Sequence, residues 1–297
     1  MDLTDKPEHS ERRIIAVLNH KGGAGKTVLT TELGAILAMR GEKVLLIDLD
    51  PQRNLTLRLG YYRAGEEQAK PANTLYDVLS DPAEYRLSTA IVPHHSIDNL
   101  YLVPGRPELV ELEGQLRAGD MADVRLSDAL EDLFDFDRQE FDWVLIDCPP
   151  GLGIYTTNAL LAANEVMAPV DLRTLDSITG LSELTKKIQN LGRRGPSGGM
   201  FLVGNMYDEV GMDEEDNREG LLRLGYPVAR TTIKTRKAIS KAHNRKQPLA
   251  ERAIRDKGGR KAYKNLNSLA DELLSGKLRG KPVEPRQTWK DEVKVAA

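Results

Sequence analysis

At 297 residues, 40% hydrophobic and 29% charged, the chain is long enough to bury the core of one large α/β domain or two small ones. A single cysteine, Cys148, excludes an internal disulfide framework and every multi-cysteine metal site, and an aromatic content of 5% argues against a nucleic-acid binder built on base-stacking platforms. The net charge of −3 hides an asymmetry: thirteen basic residues against two acids between Arg230 and Lys264 make that window +11 and leave −14 for the rest. An acidic body with one such stretch has the electrostatic footprint of a phosphate-backbone binder.

Residues 1–12 are polar and lack the apolar centre of a secretion signal, and no run approaches the roughly 20 apolar residues of a membrane span, so a cytoplasmic protein with a flexible leader and no membrane contact is expected. Ile14 to Leu18 is a β-branched and aliphatic run suited to a buried parallel strand. It empties into Lys21-Gly22-Gly23-Ala24-Gly25-Lys26-Thr27. The three glycines let main-chain N–H groups turn onto an anion, Lys26 offers a charge for β- and γ-phosphates, and Thr27 offers a hydroxyl for a metal. Lys26 to Arg40 then reads as a helix with Leu29, Leu33, Ile36 and Leu37 inward, its amino end aimed at the phosphates. The spacing departs from the ordinary G-x-x-x-x-G-K-[ST] loop, because His20 occupies the first glycine position and a second lysine, Lys21, stands in front.

Lys43 to Asp48 is a second buried strand, running into Asp48-Leu49-Asp50-Pro51-Gln52. Alternation puts Asp48 and Asp50 on one face at the strand's carboxyl end, where paired carboxylates suit water positioning and metal contact. Tyr61 to Ala72 reads as a loop, Thr74 to Leu79 as a short helix, and Asn99 to Val103 as a strand. Helical patterns follow around Pro107 to Arg117 and Leu126 to Arg138. Phe141 to Pro150 is an apolar strand ending in Asp147, the pattern that holds Mg²⁺ through water, with Cys148 beside it as a small buried hydrophobe.

Beyond a loop-to-helix segment from Gly151 to Ala163, the expected elements are strands at Glu165 to Val170, Gly199 to Asn205 and Pro227 to Ile233, the last closing the sheet. Helices are expected at Ser177 to Leu191, Asn217 to Leu224, Arg236 to Arg245 and Lys261 to Leu274. The β-α alternation implies one domain, residues 13–275, built as a doubly wound, mostly parallel sheet flanked by helices, with residues 276–297 a disordered tail.

These segments together resemble the deviant-Walker P-loop ATPases of the ParA/MinD family. The likeness covers Ile14 to Leu274 and rests on K-G-G-A-G-K-T, D-L-D-P-Q, T-L-Y-D-V-L and L-I-D-C-P-P, and it is nearest to the short Soj-like ParA proteins. It implies ATP and Mg²⁺ as cofactors, with Lys21, Gly22, Gly23, Ala24, Gly25, Lys26, Thr27 and Val28 around the nucleotide. Lys21 would reach across a homodimer to the partner's phosphates, joining Lys26 and Asp50 as the catalytic set, and Asp50 would orient or activate the attacking water. Thr27, Asp48 and Asp147 would serve the metal, Asp48 supporting either Mg²⁺ or the switch geometry. Asn205 would lie near the adenine, where it either reads the base edge or caps a turn.

The function so implied is a nucleoid-associated partition ATPase, slow until a ParB-like protein stimulates it, whose ATP dimer binds double-stranded DNA without sequence preference. Arg230, Lys234, Arg236, Lys237, Lys241, Arg245 and Lys246 would contact the DNA, with Arg193 and Arg194 as an alternative face. Three positions depart from the family pattern: Val28 replaces a second threonine, Arg53 a glycine, and Lys234 a proline. One cysteine excludes the cluster-bearing relatives, and the two other readings are an orphan ParA that positions a protein assembly and a metabolic ATP-dependent ligase on the same fold.

Overall fold

A computed structural model describes residues 12–61, 73–118, 121–173, 176–205, 214–234, 237–251 and 257–283. The strands are β1 (Arg13–Val17), β2 (Val44–Asp48), β3 (Val92–Pro93), β4 (Leu100–Val103), β5 (Trp143–Asp147), β6 (Glu165–Asp171) and β7 (Met200–Asn205). They form one sheet in the order β3-β4-β2-β5-β1-β6-β7, parallel throughout except for the β3–β4 pair. Every residue of β2, β5, β6 and β7 is buried, as continuous apolar strands covered on both faces must be.

The helices divide into two layers. On one face α3 (Leu75–Ser80), α4 (Leu109–Ala118), α5 (Arg125–Asp135), α6 (Ile154–Ala162), α7 (Asp176–Leu191) and α8 (Glu214–Arg223) contribute Leu75, Leu112, Leu130, Leu160, Leu184 and Leu221 to a single apolar cluster. On the other, α1 (Lys26–Met39), α2 (Asn54–Arg58), α9 (Lys237–Asn244) and α10 (Lys257–Leu274) contribute Leu33, Leu55, Ala242 and Leu266 to a second. Gly34 lets α1 close on the sheet, since a Cβ there would lie 2.7 Å from Leu46 Cδ2. The register sets Val17 opposite Asp147 and Asp147 opposite Asp48, so β1, β5 and β2 end level. The chain leaves β1 in one direction for β2 and returns past it to β6, and that reversal opens the crevice in which such sheets bind ligands.

Two expectations are corrected. Pro227 to Ile233 does not close the sheet as a regular strand: it runs beside β7 with a bridge from Leu202 to Val228 and a separate hydrogen bond from Ile233 N–H to the Gly204 carbonyl (2.8 Å). The Glu272 carboxylate accepts the main-chain N–H groups of Arg230 and Thr231, each at 2.7 Å, and so interrupts the ladder between Ala229 and Ile233, whose N–H groups bond β7. The start of the tail is ordered as well. The buried Arg13 guanidinium donates to the carbonyls of Leu273 (3.2 Å) and Leu278 (3.1 Å), Glu165 accepts Gly280 N–H (2.8 Å), and Lys281 pairs with Met200. Residues 1–11, residues 62–72 of the segment expected to be a loop, and residues 284–297 lie outside the described residues.

Candidate nucleotide site

The loop after β1 is fixed from both sides. Asn19, buried, donates its amide to Pro169 carbonyl (2.7 Å) and accepts Lys21 N–H on Oδ1 (3.1 Å), while Asn205 at the end of β7 donates to Ala24 carbonyl (2.7 Å). Behind it, Gly151 N–H donates to His20 carbonyl at 3.2 Å, tying the segment after Asp147 to the loop. Gly23 and Gly25 stand at φ of 80° and 90°, the left-handed region where a side chain is strained. Gly25 is also the N-cap of α1 and has no side chain to cap it, so the first-turn N–H groups remain available to an anion. Gly22 and Gly23 are exposed, and a Cβ on Gly23 would meet nothing within 4 Å, which leaves room for a ligand in front of the loop.

Lys26 is buried, with Nζ 3.4 Å from the carbonyls of Asn19 and Lys21. These are long contacts, and burial lowers the ammonium's pKa against the opposing pull of Asp147, Cys148 and Asp50. Lys21 is half-buried at the loop's mouth. Its charge reaches Asp171, where burial works to raise the carboxyl but hydrogen bonds and charge from Arg173, with Lys21, hold it below its ordinary value. Val28 is half-buried one residue past Thr27.

The carboxylates divide the work. Asp48 is fully buried and already engaged: Oδ2 accepts the N–H (2.8 Å) and hydroxyl (2.6 Å) of Thr56, and Oδ1 accepts Asp50 N–H (3.3 Å). Of its two expected roles the geometry supports holding the turn. Asp50 is buried and accepts Gln52 N–H on Oδ1 (2.9 Å). Its carbonyl accepts Arg53 N–H (2.7 Å), and Arg53 sits at φ 48°, the conformation for which glycine is the default. Asp147 is fully buried; Oδ1 lies 3.4 Å from the Thr30 hydroxyl, and the Thr27 hydroxyl also bonds the carboxyl. Burial and the neighbouring Asp48 push the Asp147 carboxyl up, and burial likewise raises Asp48. Asp147 Oδ2 is buried with no hydrogen-bond partner among the described residues. An orphaned carboxylate oxygen beside a hydroxyl, in an all-oxygen donor set, fits a hard divalent cation such as Mg²⁺. Thr27 and Asp147 are the residues that would hold it.

Sequence reasoning missed Asn19, Thr30, Thr56 and Asp171. Only Thr30 carried a signal, one helical turn beyond Lys26. Cys148 is buried and its thiol pushed up by burial, in keeping with an inert hydrophobe.

The basic residues lie away from the loop. On α9, Ala238 and Ala242 pack inward while Lys241 is exposed, and on α10 Ala262, Leu266 and Leu269 pack inward while Arg260, Lys261 and Lys264 are exposed. Arg230 and Arg245 are exposed, and Lys234 and Lys246 half-buried. Arg236 and the side chain of Lys237 lie outside what is described. Arg193 and Arg194 stand on a short turn on the other side, Arg194 within 3.6 Å of Asp123. His94, His95 and Glu251 bring three metal-ligand-type atoms within 4.8 Å. However, His94 Nδ1 accepts the N–H groups of Ser96 and Ile97, and Glu251 Oε1 accepts the Ser96 hydroxyl, so the cluster already serves to hold the turn after β3. Among the described residues no helix is long and apolar enough to cross a membrane.

A loop that can wrap phosphates, backed by an all-oxygen cation site, marks a P-loop ATPase, and the lysine ahead of its glycines places it with the deviant-Walker group. A family model described as an AAA domain matches residues 12–196. The chain is 32% identical to the chromosome-partitioning ATPase Soj of Treponema pallidum, across 89% of this chain and 97% of that one. It is 39% identical to the sporulation initiation inhibitor protein Soj of Bacillus subtilis, across 60% of this chain and 65%, just under two thirds, of that one. Among solved structures, the cobyrinic acid a,c-diamide synthase of Mycobacterium smegmatis with a bound ATP analog and magnesium superimposes with a TM-score of 0.67 at 29% identity, across 93% of this chain and all of that one. The chain belongs to the ParA/Soj family of partition ATPases.

Proposed function

We propose that this chain is an ATP-switched DNA tether of the partition type: two copies close around ATP, bind duplex DNA without sequence preference, and let go when a ParB-like partner stimulates hydrolysis. The observation that carries this reading is the exposed basic surface of α9 and α10, packed in the same apolar cluster as the phosphate-loop helix α1. Lys26 and the loop N–H groups hold the nucleotide's own phosphates, and Lys21, half-buried at the mouth of the loop, serves those of a second protomer. Asp50, at the end of a short turn, positions the water. Thr27 and Asp147 would hold Mg²⁺, which when bound would supply charge neutralisation for the phosphates. The protein would act in the cytoplasm, on the nucleoid.

The ligase reading, which the synthase likeness brings forward, gives no use to the basic surface. An orphan ParA positioning a protein assembly would share every one of these residues and differ in its cargo.

The test is binding to non-specific duplex DNA without nucleotide, with ADP and with ATP, at two salt concentrations, using Asp50→Ala to hold the ATP state. Six phosphate contacts per dimer predict a loss of about 40-fold in affinity for each doubling of salt. Binding that is tight and salt-sensitive only with ATP supports the reading; no binding in any state turns it toward the ligase.

A further inference from the structure

Glu32 is a carboxylate inside an apolar cluster. It lies on α1, fully buried among Leu29, Leu33, Leu55, Leu59 and Leu249, in the layer that also holds α9 and α10. Charged groups are rarely left there without a reason. Its Oε2 accepts Leu249 N–H at 2.8 Å, and Ala250 N–H is directed at the same carboxylate. From α2, Arg58 brings Nη2 to 3.7 Å from Oε1. That pair is ionic without being hydrogen-bonded: neither Glu32 Oε1 nor Arg58 Nε has a hydrogen-bond partner among the described residues, although both are buried. An unpartnered oxygen and an unpartnered nitrogen on the two members of a loose buried pair describe a contact with room to tighten.

The three segments meeting at Glu32 belong to different parts of the molecule. α1 begins at the phosphate loop. α2 starts directly after the turn formed by Asp50 and Arg53, and its Thr56 holds Asp48 by two hydrogen bonds. Leu249 and Ala250 follow α9 and the basic residues Arg245 and Lys246. A change in the Asp50 turn therefore moves Arg58 directly against Glu32, and Glu32 holds the main chain at the end of the basic segment.

We propose that Glu32 is a positioning residue that couples the Asp50 turn to the basic segment, through Arg58 on one side and the Leu249 and Ala250 amides on the other. What the basic segment binds rests on the function proposed above; the coupling itself does not. The groups facing Glu32 are Arg58 from α2 and the two amides, and Arg58 in turn feels Asp147 from β5. Burial pushes the Glu32 carboxyl up to about 7, against Arg58 and the two amides. The coupling is thus charged above neutrality and uncharged below it.

The experiment compares the full chain with Glu32→Gln, which keeps the acceptor and removes the charge, and with Glu32→Gln combined with Arg58→Met, which leaves no buried charge unpaired. Hydrogen exchange of the 247–251 main chain is followed with and without a non-hydrolysable ATP analogue and Mg²⁺ at pH 6 and pH 8, alongside ATP turnover. In the wild type the analogue is expected to slow exchange at Leu249 and Ala250 at least fivefold at pH 8 and less at pH 6. In both variants that slowing shrinks to under twofold at either pH, kcat shifts with KM for ATP held within twofold, and the pH dependence of kcat near 7 disappears.

Full nucleotide-induced slowing in the variants, or none in the wild type, overturns the proposal. The exchange measurement needs no DNA. A wild type that binds no DNA but shows the coupling refutes the proposed function and leaves this inference standing.

Discussion

Replacing Glu32 by Gln should make the protein more stable at alkaline pH than at acid pH, relative to the wild type. Burial carries this carboxyl from 4.5 to about 7 in the folded chain. At 1.36 kcal/mol per pH unit, the ionised form costs the fold about 3 kcal/mol once the group is fully charged. Because the folded value lies above the unfolded one, this contribution to stability is fully present below pH 4.5 and is lost as the pH rises through about 7. Most of it, on the order of 2 to 3 kcal/mol, disappears between pH 5 and pH 8. Glutamine cannot ionise and escapes that loss. Urea unfolding of both proteins at the two pH values should therefore show the variant gaining on the order of 2 to 3 kcal/mol on the wild type between them, a difference in which the other titrating carboxyls cancel. A stability difference constant to within about 0.5 kcal/mol across that range would mean Glu32 is hydrated or firmly paired, and the electrostatic reasoning would be wrong.

Lys26→Ala should abolish ATP binding by calorimetry, since no other buried cation stands at the loop among the described residues; retained affinity would move the phosphate site elsewhere. Arg53→Gly should raise stability by about 1 kcal/mol by relieving a left-handed non-glycine residue, read from the urea midpoint. Gly199→Ala should cost at least about 2 kcal/mol, because its Cβ would lie 2.0 Å from Lys281 carbonyl at a φ of 75°. It should also open residues 277–283 to limited proteolysis, and an unchanged cleavage pattern would contradict the ordered segment. Lys241→Glu with Arg245→Glu should leave ATP affinity unchanged and reduce the salt slope of DNA binding by about 4 for a dimer. An unchanged slope would move the binding face toward Arg193 and Arg194.

The sheet and the phosphate loop were legible because their signals are local. Short uninterrupted apolar runs such as Val44 to Ile47, bounded by turn residues, suit buried parallel strands, and a glycine loop between strand and helix has few other uses. What stayed hidden depends on single polar residues with distant partners. Glu272 interrupts the 227–233 ladder at Thr231 from about forty residues away, and Arg13 holds the Leu273 and Leu278 carbonyls from the opposite end of the chain. Neither leaves a periodic trace. Asn19 and Thr56 are hidden in the same way, since a lone Asn or Thr in a loop or a short helix reads as solvent-facing until its partner is known. Glu32 was missed as well, although here the stretch itself carried a signal. It falls inside the inward stripe of Leu29, Leu33 and Ile36, where an acid is out of place on sight.

The two apolar clusters also separate charge. The layer of α1, α2, α9 and α10 carries the exposed Lys241, Arg260, Lys261 and Lys264, while α5, in the other layer, exposes Asp128, Glu131, Asp132 and Asp135. A polyanion near such a molecule would be repelled by one face and attracted by the other, so under the proposed function encounter with DNA would be oriented before contact. That orientation constrains the proposed dimer. Closure around nucleotide at the crevice must leave both α9–α10 surfaces on a common side, because an arrangement with one basic face outward and one inward would halve the phosphate contacts and set an acidic face against the duplex. The α1–α10 contact keeps that geometry rigid, since the Arg40 guanidinium donates to Asp271 (2.6 Å) and to the Asn267 side chain (2.8 Å). Within that layer the Glu32 contact, with its unhydrogen-bonded ion pair, is the place where nucleotide state has room to act.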